Sequence, residues 1–149
     1  MDKGVCALGQ NHIEKKLNVK ECAYLLAGLE QNGMQVLEEH LKDYGEILLH
    51  VLAGDLVTEP LIDLLKYHKD NRIKIQSYCK AIECMWKVGN DYVVNVVDVT
   101  ILERLQDDNE VWQSFGTYIS EEMIRYINEE VIPQNVMMSN TPLKYKNDR

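Results

Sequence analysis

Residues 91–105 read DYVVNVVDVTILERL, and the conformation of this stretch decides the fold. Val93, Val94, Val96, Val97, Val99, Thr100 and Ile101 are β-branched, a composition that residue by residue favours a strand. Spacing favours a helix. Val94, Val97, Ile101 and Leu105 fall on one helical stripe while Asn95 and Asp98 fall off it, and the stretch is longer than the usual strand. As a helix capped by Asp91, it leaves no strand in the chain and predicts an all-α fold.

Working toward the amino terminus, Ile73, Ile75, Tyr78, Ile82, Met85 and Trp86 form a helical pattern that starts near Arg72 and stops at Gly89–Asn90. Before it, Thr58 and Pro60 mark a helix start, since threonine caps free amides and proline has no amide to leave unpaired. Leu61, Ile62, Leu64 and Leu65 form that helix's buried side. The stretch from Glu46 to Ala53 is apolar nearly all round, which predicts a helix deep in the core, interrupted by Gly54 and Asp55. Met34, Leu37 and Leu41 share one face of an earlier helix ending at Gly45, and Asn18 with Glu21 makes a capping box for the first helix.

Toward the carboxyl terminus, Asp108 caps a short helix carrying Val111, Trp112 and Phe115. Ser120 begins another with Met123, Ile124, Ile127 and Val131 inward. Six or seven helices with short connectors imply antiparallel pairs stacked as a bundle or a short α-solenoid-like array. LLKYHKDN (64–71) and LERLQDDN (102–109) echo each other at the separation of two-helix repeats, although similar helix exits produce the same echo. The predicted organisation is a partly ordered segment 1–17, a helical domain 18–132, and a flexible tail 133–149.

The chain has 149 residues, 46% hydrophobic and 27% charged, as expected of one ordinary globular domain. No apolar run approaches the roughly 20 residues of a membrane-spanning helix. The first residues lack the basic start and long apolar stretch of a secretory signal, so a cytoplasmic location and no membrane association are expected. Cys6, Cys22, Cys79 and Cys84 are then reduced and read as core packing.

The net charge of -8 is unevenly placed: between residues 98 and 130, nine carboxylates face only Arg104 and Arg125. Such a surface repels a polyanion, so no nucleic-acid partner is expected. It suits a protein partner with a basic surface. Asp107, Asp108, Glu110, Trp112, Glu121 and Glu122 are the candidate contact residues, with carboxylates speeding encounter and the aromatic adding contact area. The competing explanation is a solvated acidic face, because acids gather in the first turns of helices.

The chain has neither a phosphate-binding glycine loop nor a nucleophile elbow. His12, His40, His50 and His68 are never three or four apart. Glu46 and His50, with Asp55 beyond, are the nearest approach to a metal or acid/base site, but a histidine in or beside the core whose ring is satisfied by a carboxylate is the favoured explanation. No cofactor, metal or catalytic residue is therefore assigned.

HVLAGDLVTEPLIDLLKYH from His50 and VTILERLQDDNEVWQSFGTYISEEM from Val99 resemble a family of small uncharacterised bacterial all-helical domains over residues 44–131. Relatives of such domains sometimes resemble immunity proteins, which neutralise a co-encoded toxin by covering its active surface. The resemblance implies a helical domain and brings no catalytic residue. Three readings are carried forward: a protein-binding module, with an immunity-type inhibitor of a basic toxin as its specific form; a small metal-dependent hydrolase using Glu46, His50 and Asp55; and a helical scaffold or adaptor. Oligomeric state is not readable from the sequence.

Overall fold

A computed structural model of the chain describes residues 16–134 and 141–146, and all structural statements concern these. Expectations for residues 1–15, including Cys6 and His12, and for 135–140 and 147–149, lie outside them. The described residues form seven helices and no strand. They are α1 (Val19–Ala27), α2 (Gly33–Tyr44), α3 (49–66), α4 (Arg72–Val88), α5 (91–105), α6 (Asn109–Gly116) and α7 (121–134), with a 3₁₀ turn at His68–Asp70. None of these helices is long and apolar enough to cross a membrane.

Residues 91–105 are helical throughout, and their β-branched run is accommodated by a π turn at Val96–Leu102. The wider turn shifts the buried stripe to Val93, Val96, Val97, Ile101, Leu102 and Leu105, leaving Val94 half-buried. The cap is Asn90 rather than Asp91: the Asn90 side chain accepts from the Val93 amide at 2.9 Å. Two more π turns lie in α3 (Gly54–Thr58) and α7 (Ile127–Val131).

The π turn in α3 corrects the expected break at Gly54. Helix runs straight through, and buried Thr58 directs its hydroxyl at Ala53 O, 3.4 Å away, instead of capping a new helix. Pro60 cannot donate to an α ladder, and it falls where the ladder is already loosened by the i→i+5 turn.

One apolar cluster draws on every helix, with Trp112, Tyr78 and Phe115 its largest fully buried side chains. Two apolar stripes differ from expectation. α2 buries Leu37 and His40 while Met34 and Leu41 are exposed, and Ile73 at the start of α4 stands in solvent. His40 is inward because its Nε2 accepts the Leu48 amide at 2.9 Å, where α3 begins without a side-chain cap of its own. Asn18 and Glu21 form the expected capping box.

Candidate functional site

The carboxyl-terminal third is built on two capped helices. At the start of α6, the Asp108 carboxylate accepts from the Glu110 and Val111 amides at 2.9 and 3.2 Å. At the start of α7, Ser120 accepts from the Met123 amide, and Glu83 of α4 takes both the Ser120 amide (3.0 Å) and hydroxyl (2.6 Å). Glu83 thereby fixes where α7 begins.

The six candidate residues are not gathered into one patch. Asp107 is 3.5 Å from Arg104, which also pairs with Glu59 at 3.1 Å. Asp108 is a helix cap, and Glu110 is exposed beside it. Glu122 lies 3.5 Å from Lys87, and Glu121 accepts the Lys146 amide at 3.0 Å. Trp112 has no exposed surface: it stacks on Phe115 with ring centroids 5.8 Å apart, and its indole N–H donates to Thr141 O at 3.0 Å. An aromatic at this place in an amphipathic helix faces the core, so Trp112 cannot be the surface anchor that the sequence suggested.

Asp108 and Glu110 instead edge an open cleft of about 590 Å³, whose other wall is Lys66, Tyr67 and His68 at the end of α3. His68 is held there by Tyr118, whose hydroxyl lies 3.3 Å from both its Nδ1 and its carbonyl. The two echoing helix exits thus meet across this cleft.

The densest polar contact is one the sequence analysis did not anticipate. Residues 141–146, TPLKYK, lie across α6 and α7, and side chains of the two helices bind their backbone. Trp112 donates to Thr141 O, and Gln113 Nε2 donates to Pro142 O at 3.1 Å. Asn128 takes both polar groups of Leu143, its Oδ1 accepting the amide and its Nδ2 donating to the carbonyl, each at 2.8 Å. Leu143 is 2% exposed and joins the core cluster, a burial contributing about 2 kcal/mol. Lys146 Nζ donates to Thr117 O at 3.2 Å, and Tyr145 reaches Glu129 at 3.5 Å. Gln113 Oε1 is buried with no hydrogen-bond partner among the described residues. One sequence signal was available: Asn128 is an amide in mid-helix among inward apolar positions, where asparagine is costly unless it has a partner.

Glu46, His50 and Asp55 do not converge. His50 Nδ1 bonds the Thr100 hydroxyl in α5 and its ring meets Tyr92 edge-on at 5.4 Å, while Glu46 and Asp55 are exposed. Among the described residues no group of three or more His, Cys, Asp or Glu is placed to hold a metal ion. Cys22, Cys79 and Cys84 are buried; burial pushes the Cys22 thiol up to about 12 and raises Cys79 as well, so neither of these two is a ready nucleophile.

Fold and site together define a small all-helical domain whose acidic carboxyl-terminal helices hold a segment of its own chain. The chain belongs to the family described as Domain of unknown function (DUF7674), whose model matches residues 23–132. That span contains the stretch 44–131 on which the sequence resemblance rests, and Trp112, Gln113 and Asn128 as well; residues 141–146 lie beyond it. No curated protein and no solved structure matches the chain.

Proposed function

We propose that this domain is a protein-binding module, and specifically an immunity-type inhibitor that presents its acidic carboxyl-terminal third to a basic toxin domain. The observation that carries this reading is the charge segregation: nine of the chain's carboxylates against two arginines within residues 98–130. Exposed Asp107, Asp108 and Glu110 at the α5–α6 junction, with exposed Glu122, Glu129 and Glu130 on α7, support it by presenting their charge to solvent. The lysine-bearing segment 141–146, with its Lys146 amide on Glu121, is a further support, because it is a basic peptide settled on α6 and α7.

The test compares wild type with a variant carrying Asp107→Asn, Asp108→Asn, Glu110→Gln, Glu121→Gln and Glu122→Gln. Asparagine at 108 can still cap α6, and glutamine at 121 can still accept from Lys146, so the fold is preserved while the charge is removed. Affinity capture from native lysate should lose a basic partner in the variant. Equal capture of the same partners by both proteins would show the acidic-face reading to be wrong.

A further inference from the structure

We propose that the groove over α6 and α7 is a receptor for a strand-like, lysine-bearing peptide segment of a partner protein, and that residues 141–146 occupy it as an intramolecular competitor. The proposal rests on the protein-binding reading above and adds the ligand's backbone and side-chain chemistry.

The groove reads main chain. Asn128 takes the N–H and C=O of a single residue, the same pair of groups that a neighbouring β-strand would engage, so it demands a locally strand-like ligand but not a particular side chain. Specificity comes from what flanks that clamp. Leu143 fills an apolar pocket in the core cluster, and Lys146 meets Glu121 through its amide and Thr117 O through its ammonium. A ligand therefore carries an apolar residue followed within three positions by lysine.

Residue 142 supplies the sharpest point. Gln113 is placed against it as Asn128 is against Leu143, one carboxamide on α6 and the other on α7. Consecutive residues of a strand turn their N–H and C=O pairs to opposite sides, so helices on both sides can each clamp one residue. Yet Gln113 makes only half of the clamp: its Nε2 binds Pro142 O, while its Oε1 is buried and unpartnered. Proline has no N–H to give. The resident segment thus leaves an unpartnered acceptor on the side chain that binds Pro142 O, whereas a residue with an N–H at this position brings a donor to the same carboxamide, and a buried unmade hydrogen bond weakens a ligand. The groove is better matched to a peptide without proline there, as befits a competitor that a partner must displace.

The test uses the full chain and two capped, fluorescent hexapeptides, TPLKYK and TALKYK, by anisotropy. The intramolecular segment competes at an effective concentration on the order of millimolar, so Leu143→Ala, which removes its anchor, should bind both peptides at least tenfold more tightly than wild type. On that variant TALKYK should bind several-fold better than TPLKYK. Adding Asn128→Ala should cost at least tenfold. Lys146→Glu serves as a second release variant that leaves the core intact, and the indole N–H resonance of Trp112 should shift on release and return when peptide is added. Equal affinity of wild type and both release variants, or equal affinity of the two peptides, overturns the proposal. So does a concentration-dependent wild-type dimer abolished by Leu143→Ala, which would assign the groove to a second copy of this chain. The two readings fail separately: peptide-blind protein whose partner capture still depends on the five carboxylates refutes only the groove, whereas peptide binding with charge-insensitive capture refutes only the acidic face.

Discussion

Two non-helical stretches dock on the helical body, and they do so by opposite means. Leu17, preceding α1, pairs backbone to backbone with the α4–α5 turn: its amide donates to Val88 O at 2.6 Å and its carbonyl accepts from the Asn90 amide at 2.8 Å. Residues 141–146 pair backbone to side chain, through Trp112, Gln113, Asn128 and Glu121. Main-chain pairing is indifferent to which residues supply it and moves only if the turn moves. Side-chain pairing can be erased one residue at a time with the helices in place, so it is the docking that evolution or a partner can tune. The amino-terminal contact therefore belongs to the fold, whereas the carboxyl-terminal one is where the groove proposal places recognition.

The largest effect is expected at Gly89. A Cβ there would overlap Met85 O and lie 2.6 Å from Val93 Cγ1, so the turn that holds Leu17 has no room for alanine. Gly89→Ala should cost about 3 kcal/mol, as overpacking against backbone does, with a single cooperative loss of thermal stability. A cost under about 0.5 kcal/mol would mean that the turn yields easily, and that the amino-terminal contact is as adjustable as the other.

A smaller loss is expected at the other dock. Asn128→Ala strands the amide and carbonyl of Leu143 and should cost about 1–3 kcal/mol, the range for leaving half-buried polar groups unpaired. What separates it from Gly89→Ala is locality. Hydrogen exchange should rise at Leu143 and Lys146 without rising in α1 or at Asn90. If protection falls throughout the molecule instead, residues 141–146 are a structural part of the core rather than a detachable ligand.

The contrast also explains what the sequence could convey. Helix identity was legible because it depends on periodicity within one segment: even the β-branched run 91–105 declared itself through its stripe. Local caps at Asn18, Asp108 and Ser120 were legible for the same reason. Features that need two distant segments were not. The π turns shift the inward face of α5 and carry α3 past Gly54, and no single-helix pattern encodes them. The burial of His40 was not readable from its own helix because its acceptor role serves Leu48, beyond that helix's end. Ile73, though apolar, lies at the first turn of α4 where no helix covers it. The acidic third was visible as composition, but the division of its carboxylates among a cap, ion pairs and the docked segment required the fold. The segment itself looked like a tail since it has no periodicity and few large apolar residues, and its anchoring comes from Asn128 and Gln113 across the groove.

The smallest effect concerns the far side of α7 and tests whether that helix is held independently of residues 141–146. Tyr126, two residues before Asn128 and so on the opposite helix face, donates to Asp98 of α5 at 2.9 Å and packs on Trp86 with centroids 5.1 Å apart. Burial holds the Asp98 carboxyl above its ordinary value, helped by nearby Glu130, although the Tyr126 hydrogen bond pulls the other way. The folded state therefore binds this proton more tightly than the unfolded chain. The charged carboxylate costs stability above the raised folded value, and the cost is relieved as pH falls from there toward the ordinary aspartate value of about 3.9. Glu30 acts in the opposite sense: the Tyr78 hydroxyl and Lys74 hold its carboxyl low despite the burial penalty, so its stabilisation is present above the ordinary glutamate value and fades as pH falls through its lowered one. Comparing wild type with Asp98→Asn cancels the Glu30 contribution. Asparagine keeps an acceptor for Tyr126 and has no charge to bury, so the variant should be at least as stable as wild type at neutral pH, and its advantage should shrink as the buffer is made more acid. Peptide affinity at the groove should not change in either protein. A variant that is less stable at neutral pH, or an advantage that grows in acid, would show that the Asp98 charge is stabilising. A change in peptide affinity would show instead that the back of α7 and its recognition face are coupled.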